Sequence, residues 1–130
     1  MPYSKKVINA FKNPHNYGKL KDYDGLGKVG NPTCGDVLWL YIKVDKNKKG
    51  EEIIKDISFE TFGCVAALAS SSIITDLAKG KTIKEALKLT MKDVTKALGG
   101  LPEIKIHCSV LAIDALRKAV DDYSFKKDAE

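Results

Sequence analysis

The chain has 130 residues, of which 44% are hydrophobic and 30% are charged. This balance is typical of one globular domain with its own core and excludes an intrinsically disordered chain. The longest weakly polar stretch, residues 65–78, contains three serines, one threonine and one aspartate. It is shorter than the roughly 20 residues of a membrane-spanning helix, so we expect neither such a helix nor a membrane partner.

The formal net charge of +5 is concentrated at the N-terminus. Residues 1–31 hold six lysines and two aspartates, whereas residues 32–130 hold 16 basic and 15 acidic side chains. A nucleic-acid-binding domain usually carries a basic face spread over its fold. The near-neutral body therefore argues against a nucleic-acid partner, and we interpret residues 1–31 as a solvated, basic N-terminal helix and loop.

The first predicted element is a short helix within this basic segment. Ser4 is placed to cap it, and the helix is expected to end at Asn13 and Pro14. The glycine-rich sequence over residues 16–33 then predicts a loop, with a short strand near Lys28–Gly30.

Two strands are predicted next. Residues 37–44 (VLWLYIKV) are rich in β-branched and aromatic side chains and predict a buried strand. Residues 45–50 form a polar turn. Apolar and polar residues alternate from Ile53 to Phe59, which predicts a half-buried antiparallel strand.

The second half of the chain has helical periodicity. Apolar residues between positions 66 and 77 predict a helix that ends at Gly80, and the capping box Thr82–Glu85 starts the next helix. Further helices are predicted over residues 92–98 and 111–120. Strands followed by helices predict an α+β fold, in which a small antiparallel sheet of about three strands packs against several helices.

No repeat, low-complexity tract or interdomain linker divides the sequence. We therefore expect a single domain over residues 1–130, with a charged tail at residues 124–130.

Three cysteines are the main chemical feature of the chain. Cys34, Cys64 and Cys108 lie 30 and 44 residues apart, and the sequence has no CxxC motif. An odd number of cysteines cannot form a closed set of disulfides, and no secretory leader is predicted. We therefore expect a reducing, cytoplasmic location with thiols that are free or bound to metal. Cys34 is predicted in a turn that leads into the first long strand. Cys64 is predicted where the second strand gives way to a helix, and Cys108 where a loop gives way to the last helix.

Two other metal-competent residues accompany these thiols. Asp36 lies two positions after Cys34, and His107 precedes Cys108. Three thiolates with one oxygen or nitrogen donor suit tetrahedral zinc or an iron–sulfur cluster with one non-thiolate ligand. Taken singly, however, each cysteine is more often a small buried residue, the histidine a helix-start residue and the aspartate a turn residue. Spacing alone leaves both interpretations open.

Seven short motifs then occur in a characteristic order. They are Tyr3-Ser4-x₂-Val7-Ile8, Asn13-Pro14-x-Asn16-x-Gly18, Gly30-Asn31-Pro32-x-Cys34-Gly35-Asp36, Thr61-Phe62-Gly63-Cys64, Ala69-Ser70-Ser71-Ser72, Gly80-Lys81-Thr82 and His107-Cys108-Ser109. Together they resemble the IscU/NifU N-terminal family of iron–sulfur cluster assembly scaffolds. The resemblance extends from about Tyr3 to Tyr123.

The resemblance implies that the three cysteine segments converge at one edge of the fold. It implies that the chain is a scaffold and not an enzyme. Such a scaffold builds a labile [2Fe–2S] cluster from iron and from the persulfide sulfur of a cysteine desulfurase, and it passes the cluster to acceptor apoproteins. Cys34, Cys64 and Cys108 correspond to the cluster ligands, and Cys108 also to the sulfur acceptor. Asp36 corresponds to the carboxylate that keeps the cluster labile, and His107 to a candidate fourth ligand.

The resemblance also implies a chaperone-binding loop. Leu101, Pro102 and Lys105 match a Leu-Pro-Pro-x-Lys loop used by an Hsp70-type chaperone and its J-type partner, but Glu103 replaces the second proline. A second departure is Val65, which follows Cys64 where a glycine or alanine is usual.

The main alternative is a zinc-dependent sulfur-transfer protein of the SufU type. Such proteins carry an insertion before the last cysteine and lack the adjacent histidine. The short interval between Cys64 and Cys108, together with His107, favours the scaffold. Zinc suits the same ligands, and either a monomer or a dimer is compatible with the sequence. A cysteine hydrolase is disfavoured because adjacent residues seldom form a nucleophile–base pair.

Overall fold

The structure is a computed structural model that describes residues 5–31, 36–62, 65–97, 99 and 107–129; the side chains of residues 7, 11, 31, 36, 65–67, 107–109 and 127–129 are not described. Within these ranges the chain forms three strands and five helices. In chain order they are α1 (Lys5–Lys12), β1 (Gly25–Asn31), β2 (Asp36–Lys46), β3 (Glu52–Phe62), α2 (Val65–Ala78), α3 (Ile83–Leu87), α4 (Met91–Ala97) and α5 (His107–Ala129).

The three strands form one antiparallel sheet in the order β1-β2-β3. Asn31 pairs with Asp36 across the first hairpin, and Val37 pairs with Phe62 between β2 and β3. The register shifts once, between Lys43 and Val44. The predicted α+β class with a three-stranded antiparallel sheet is confirmed.

One face of the sheet is covered by helices α2 and α5. Leu40 of the central strand β2 pairs with Phe59 of β3, and both are fully buried, as is Leu38 two residues before Leu40. The helices contribute Ile74 and Leu116 to the same core. Because side chains alternate along a strand, the residues between these positions face away from the helices.

The longest helix packs unusually close to the glycine-rich strand β1. A Cβ atom at Gly27 would lie 2.0 Å from the carbonyl oxygen of Ala115, and one at Gly25 would lie 2.3 Å from that of Ala119. No residue with a side chain fits at these two positions. This packing explains why residues 25–31 form a seven-residue strand, whereas the sequence predicted only a short strand at residues 28–30.

Helix α5 is longer than its apolar periodicity predicted. It begins at His107 and ends at Ala129, so residues 124–129 of the segment interpreted as a charged tail continue this helix. No described helix is both long enough and apolar enough to cross a membrane. The predicted cap of α1, Ser4, lies outside the described residues.

The segment after α1 is attached to both β3 and α2. Gly18 N donates to Phe59 O at 2.7 Å, and Phe59 N donates to Asn16 O at 3.0 Å. The side-chain amide of Asn16 donates to Thr75 Oγ1 at 3.0 Å and to Asp76 Oδ1 at 3.2 Å. Asp76 also pairs with His15 Nδ1 at 2.7 Å. Residues 15–18 therefore join the outer edge of the sheet to a core helix.

Candidate metal centre

The segments that hold Cys34 and Cys64 connect elements at the same end of the sheet. The pair Asn31 and Asp36 closes the described part of the first hairpin, with residues 32–35 between them. The next residue, Val37, pairs with Phe62, the last residue of β3. The β1–β2 connection and the β3–α2 connection therefore begin and end side by side.

The N-terminus of α5 lies at this same end. Gly25 contacts the helix near Ala119, and Gly27 contacts it near Ala115, so the helix runs antiparallel to β1. Four more residues of strand, about 13 Å, correspond to about eight or nine residues of helix. This brings the first turn of α5, which contains His107 and Cys108, beside Asn31.

The predicted ligands are placed by their elements rather than by observed contacts. Asp36 is the first residue of β2, and His107 and Cys108 are the first two residues of α5, but the side chains of all three are outside the described part. Cys34 and Cys64 lie outside the described residues, as do the chaperone-loop residues Leu101, Pro102 and Lys105. Among the side chains that the structure describes, no group of three or more histidines, cysteines or acids could hold a metal ion.

An aromatic patch borders the cysteine end on the face of the sheet that the helices leave uncovered. Phe62 is 72% exposed, and its ring meets the ring of Trp39 edge-on at 5.8 Å. The ammonium of Lys28 lies 5.6 Å from the Trp39 ring centre. We did not predict this patch. The alternation of Trp39 with the core residues Leu38 and Leu40 is the signal that could have revealed it.

A second group on this face is held in one protonation state. Tyr41 donates a 2.7 Å hydrogen bond to Glu60. Burial and this negatively charged acceptor raise the pKa of Tyr41 to about 12. The phenol therefore keeps its proton to higher pH than an ordinary tyrosine, and its hydrogen bond holds the Glu60 side chain next to Trp39, the residue that pairs with Glu60 across the strands.

Comparison with known proteins places the chain in a family. Residues 2–130 match the family model described as the NifU-like N terminal domain. The chain belongs to this family. The predicted resemblance to IscU/NifU-type proteins is thereby confirmed.

Relatives of this NifU-like chain are named as scaffolds. The iron–sulfur cluster assembly scaffold protein IscU 1 of Archaeoglobus fulgidus is 57% identical over 128 residues, which cover 98% of this chain and 80% of the relative. The iron–sulfur cluster assembly scaffold protein IscU of Escherichia coli strain K12 is 46% identical over 133 residues, with all of both chains covered.

Solved structures share the fold of the NifU-like chain. The crystal structure of a hypothetical protein, 32% identical, superposes with a TM-score of 0.70 and covers 89% of this chain and 94% of the other. A NifU-like N-terminal protein from Brucella abortus, 20% identical, gives a TM-score of 0.70 with 96% of each chain covered. At that identity the second match supports the fold alone.

Proposed function

We propose that this chain is a scaffold on which a [2Fe–2S] cluster is assembled and from which the cluster passes to acceptor apoproteins. The observation that supports this proposal is that the described elements flanking the three cysteine-bearing segments meet at one end of the sheet, in a family whose relatives are named as such scaffolds. The cluster is a cargo of the protein, so its release matters as much as its binding.

The proposed ligand set suits temporary binding. Cys34, Cys64 and Cys108 supply three thiolates, one fewer than the four that commonly hold a permanent cluster. Asp36 or His107 supplies the remaining donor. Oxygen and nitrogen ligands bind iron of a cluster less strongly than thiolate does, and an acceptor that offers a fourth thiolate can therefore displace them.

We propose that sulfur arrives through Cys108. Its thiolate attacks the outer sulfur of a persulfide on a cysteine desulfurase, the S–S bond of that persulfide breaks, and the donor cysteine leaves as a thiolate. Reduction of the transferred sulfur to sulfide takes two electrons from a thiol or a reduced electron-transfer protein, and it regenerates the Cys108 thiolate. A position in the first turn of α5 suits this step, because backbone N–H groups and the helix dipole stabilise thiolates there.

The same ligands suit zinc, so zinc in a purified sample is compatible with this function. A zinc-dependent sulfur-transfer role of the SufU type has less support, given the interval of 44 residues between Cys64 and Cys108 and the presence of His107.

The remaining partners follow from the scaffold role. They are a cysteine desulfurase, the acceptor apoproteins and an Hsp70-type chaperone with its J-type partner, the last contacting Leu101, Pro102 and Lys105. We place the protein in the cytoplasm, where a reducing environment keeps its thiols available, and we propose no catalytic residue of its own.

Anaerobic reconstitution tests the proposal. The protein is incubated with ferrous iron, L-cysteine and a desulfurase, and visible absorption and Mössbauer spectra report the cluster. Transfer to an apo-ferredoxin then reports its release. We expect a [2Fe–2S] spectrum that moves to the acceptor.

A matched control variant moves one of the three thiols to another position and keeps the number of cysteines at three. In Cys108→Ser combined with Ser124→Cys, the third thiol lies 16 residues further along α5, about 24 Å away, at an exposed position. This variant should form no cluster. A cluster of equal yield and spectrum in it, or no cluster in the wild type, would refute the proposed function.

A further inference from the structure

We propose that Gly27, together with Gly25, is a positioning residue of the metal centre, because it fixes the first turn of α5, which contains Cys108, relative to the end of β1, which leads into the segment of Cys34. This inference rests on the proposed function, since it assumes that these two cysteines bind one metal site. It concerns residues that carry no donor atoms and lie outside the cysteine segments.

Space, rather than backbone flexibility, selects glycine at both positions. Gly25 and Gly27 lie in an ordinary strand, and neither has the positive φ that favours glycine. A Cβ at Gly27 would lie 2.0 Å from Ala115 O and 2.6 Å from Ala119 N. Both are backbone atoms of α5, so no rotation of a side chain can relieve the contact.

A second contact fixes the helix along the strand. The amide of Leu26, between the two glycines, donates to the Asp122 carboxylate at 2.9 Å. The glycines therefore set the distance between α5 and β1, and the hydrogen bond of Asp122 sets the position of α5 along the direction of β1. Both features are needed to define the position of the first turn of the helix.

The contact between Gly27 and α5 is connected by regular structure to Cys108 and to Asn31, the last described residue before the segment of Cys34. Gly27 lies four residues before Asn31, where β1 leads into the segment of Cys34. Ala115 lies seven residues after Cys108 within one helix of 23 residues, about 10 Å along its axis. A helix moves as a unit over that length, so a displacement at Ala115 reaches Cys108.

The displacement exceeds what a metal site tolerates. Restoring an ordinary contact of at least 3.4 Å at Gly27 requires α5 to retreat by more than about 1 Å. Metal–thiolate bonds are about 2.3 Å long and vary by roughly 0.2 Å. Gly27→Ala is therefore expected to remove Cys108 from a site that still contains Cys34 and Cys64.

The test is a double-mutant cycle on cobalt(II) affinity, measured on the full chain through the thiolate-to-metal absorption band. Gly27→Ala should weaken cobalt binding about 30-fold in the wild-type background and less than threefold in a Cys108→Ser background. A role confined to overall stability would cost the same in both backgrounds. Equal losses in the two backgrounds, or no loss in either, would overturn the proposal.

If Gly27→Ala folds poorly, two other variants test the same coupling with Cys108 in cobalt affinity. Asp122→Ala removes the sliding restraint without a clash, and we expect a loss of about fivefold that again disappears with Cys108→Ser. Val94→Ala, a core change in α4, serves as the stability-matched control and should show no such coupling. Coupling in Val94→Ala as large as in Asp122→Ala would overturn the positioning role.

This result is distinguishable from failure of the proposed function. If the wild type shows no thiolate-to-cobalt band, the shared metal site itself is refuted. If the wild type shows the band and the cycle shows no coupling, the site stands and only the role of Gly27 fails.

Discussion

Asn16 holds the segment after α1 in place through its backbone and its side chain, and Asn16→Ala should be strongly destabilising. The residue has φ of 59°, a left-handed conformation that asparagine tolerates and that costs alanine about 1 kcal/mol. Its side chain donates to Thr75 Oγ1 and to Asp76 Oδ1. The part-buried bond contributes about 1 kcal/mol, and the exposed one contributes less. We therefore expect a loss of about 2–3 kcal/mol in the free energy of unfolding.

Urea denaturation, followed through the single tryptophan, measures this loss. Trp39 lies in the sheet and changes its surroundings on unfolding. Asn16→Gly is the matched control, because it loses the same hydrogen bonds and keeps access to positive φ; we expect about half of the alanine effect. Equal losses for the two variants would refute the strain component. A loss below about 0.5 kcal/mol for both would refute the whole account of the segment.

Three further predictions concern the proposed site and the uncovered face of the sheet. Asp36→Ala should give a longer-lived reconstituted cluster that is transferred to apo-ferredoxin several-fold more slowly, because it lacks the carboxylate that the resemblance assigns to keeping the cluster labile; equal or faster transfer contradicts the assignment. Cys108→Ser should abolish most persulfide labelling by the desulfurase in mass spectrometry, and unchanged labelling would move the acceptor to Cys34 or Cys64. Because the pKa of Tyr41 is raised to about 12 in the folded protein, the neutral phenol contributes its full stabilisation below pH 10. This contribution is lost as the pH rises from 10 towards 12. In Tyr41→Phe the free energy of unfolding should therefore fall less between pH 10 and 12 than in the wild type. The same fall in both proteins would contradict the role of Tyr41.

The sequence predicted those elements whose pattern is local. The β-branched and aromatic run of β2, the alternation in β3 and the capping box at Thr82 each depend on neighbouring residues, and the structure has these elements at those places. The order of strands and helices was enough to predict the fold class. The cysteine-bearing segments were expected to converge, and the described elements that flank them do.

What the sequence did not predict depends on distant contacts. The full length of β1 was missed because glycine has low strand propensity, and the reason for glycine is the backbone of α5, some 90 residues later. The contact between Asn16 and Thr75 joins residues 59 positions apart. The C-terminal end of α5 was missed because residues 121–129 are mostly polar and give no apolar stripe from which a helical period can be recognised.

Among the strands that the structure describes, β3 has one long edge without a partner strand. Residues 16–18 lie along this edge at Phe59, and Gly80 and Lys81 hydrogen-bond to it at Ile54. An uncovered strand edge offers unpaired amides and carbonyls to any extended chain in solution and is a common starting point for aggregation. Residues 16–18 hydrogen-bond to the amide and the carbonyl of Phe59, so these two groups near the middle of the edge are not open to another strand. The N-terminal region thus serves solubility as well as stability. A chain shortened beyond Gly18 would leave the amide and carbonyl of Phe59 on this edge open to other copies of itself.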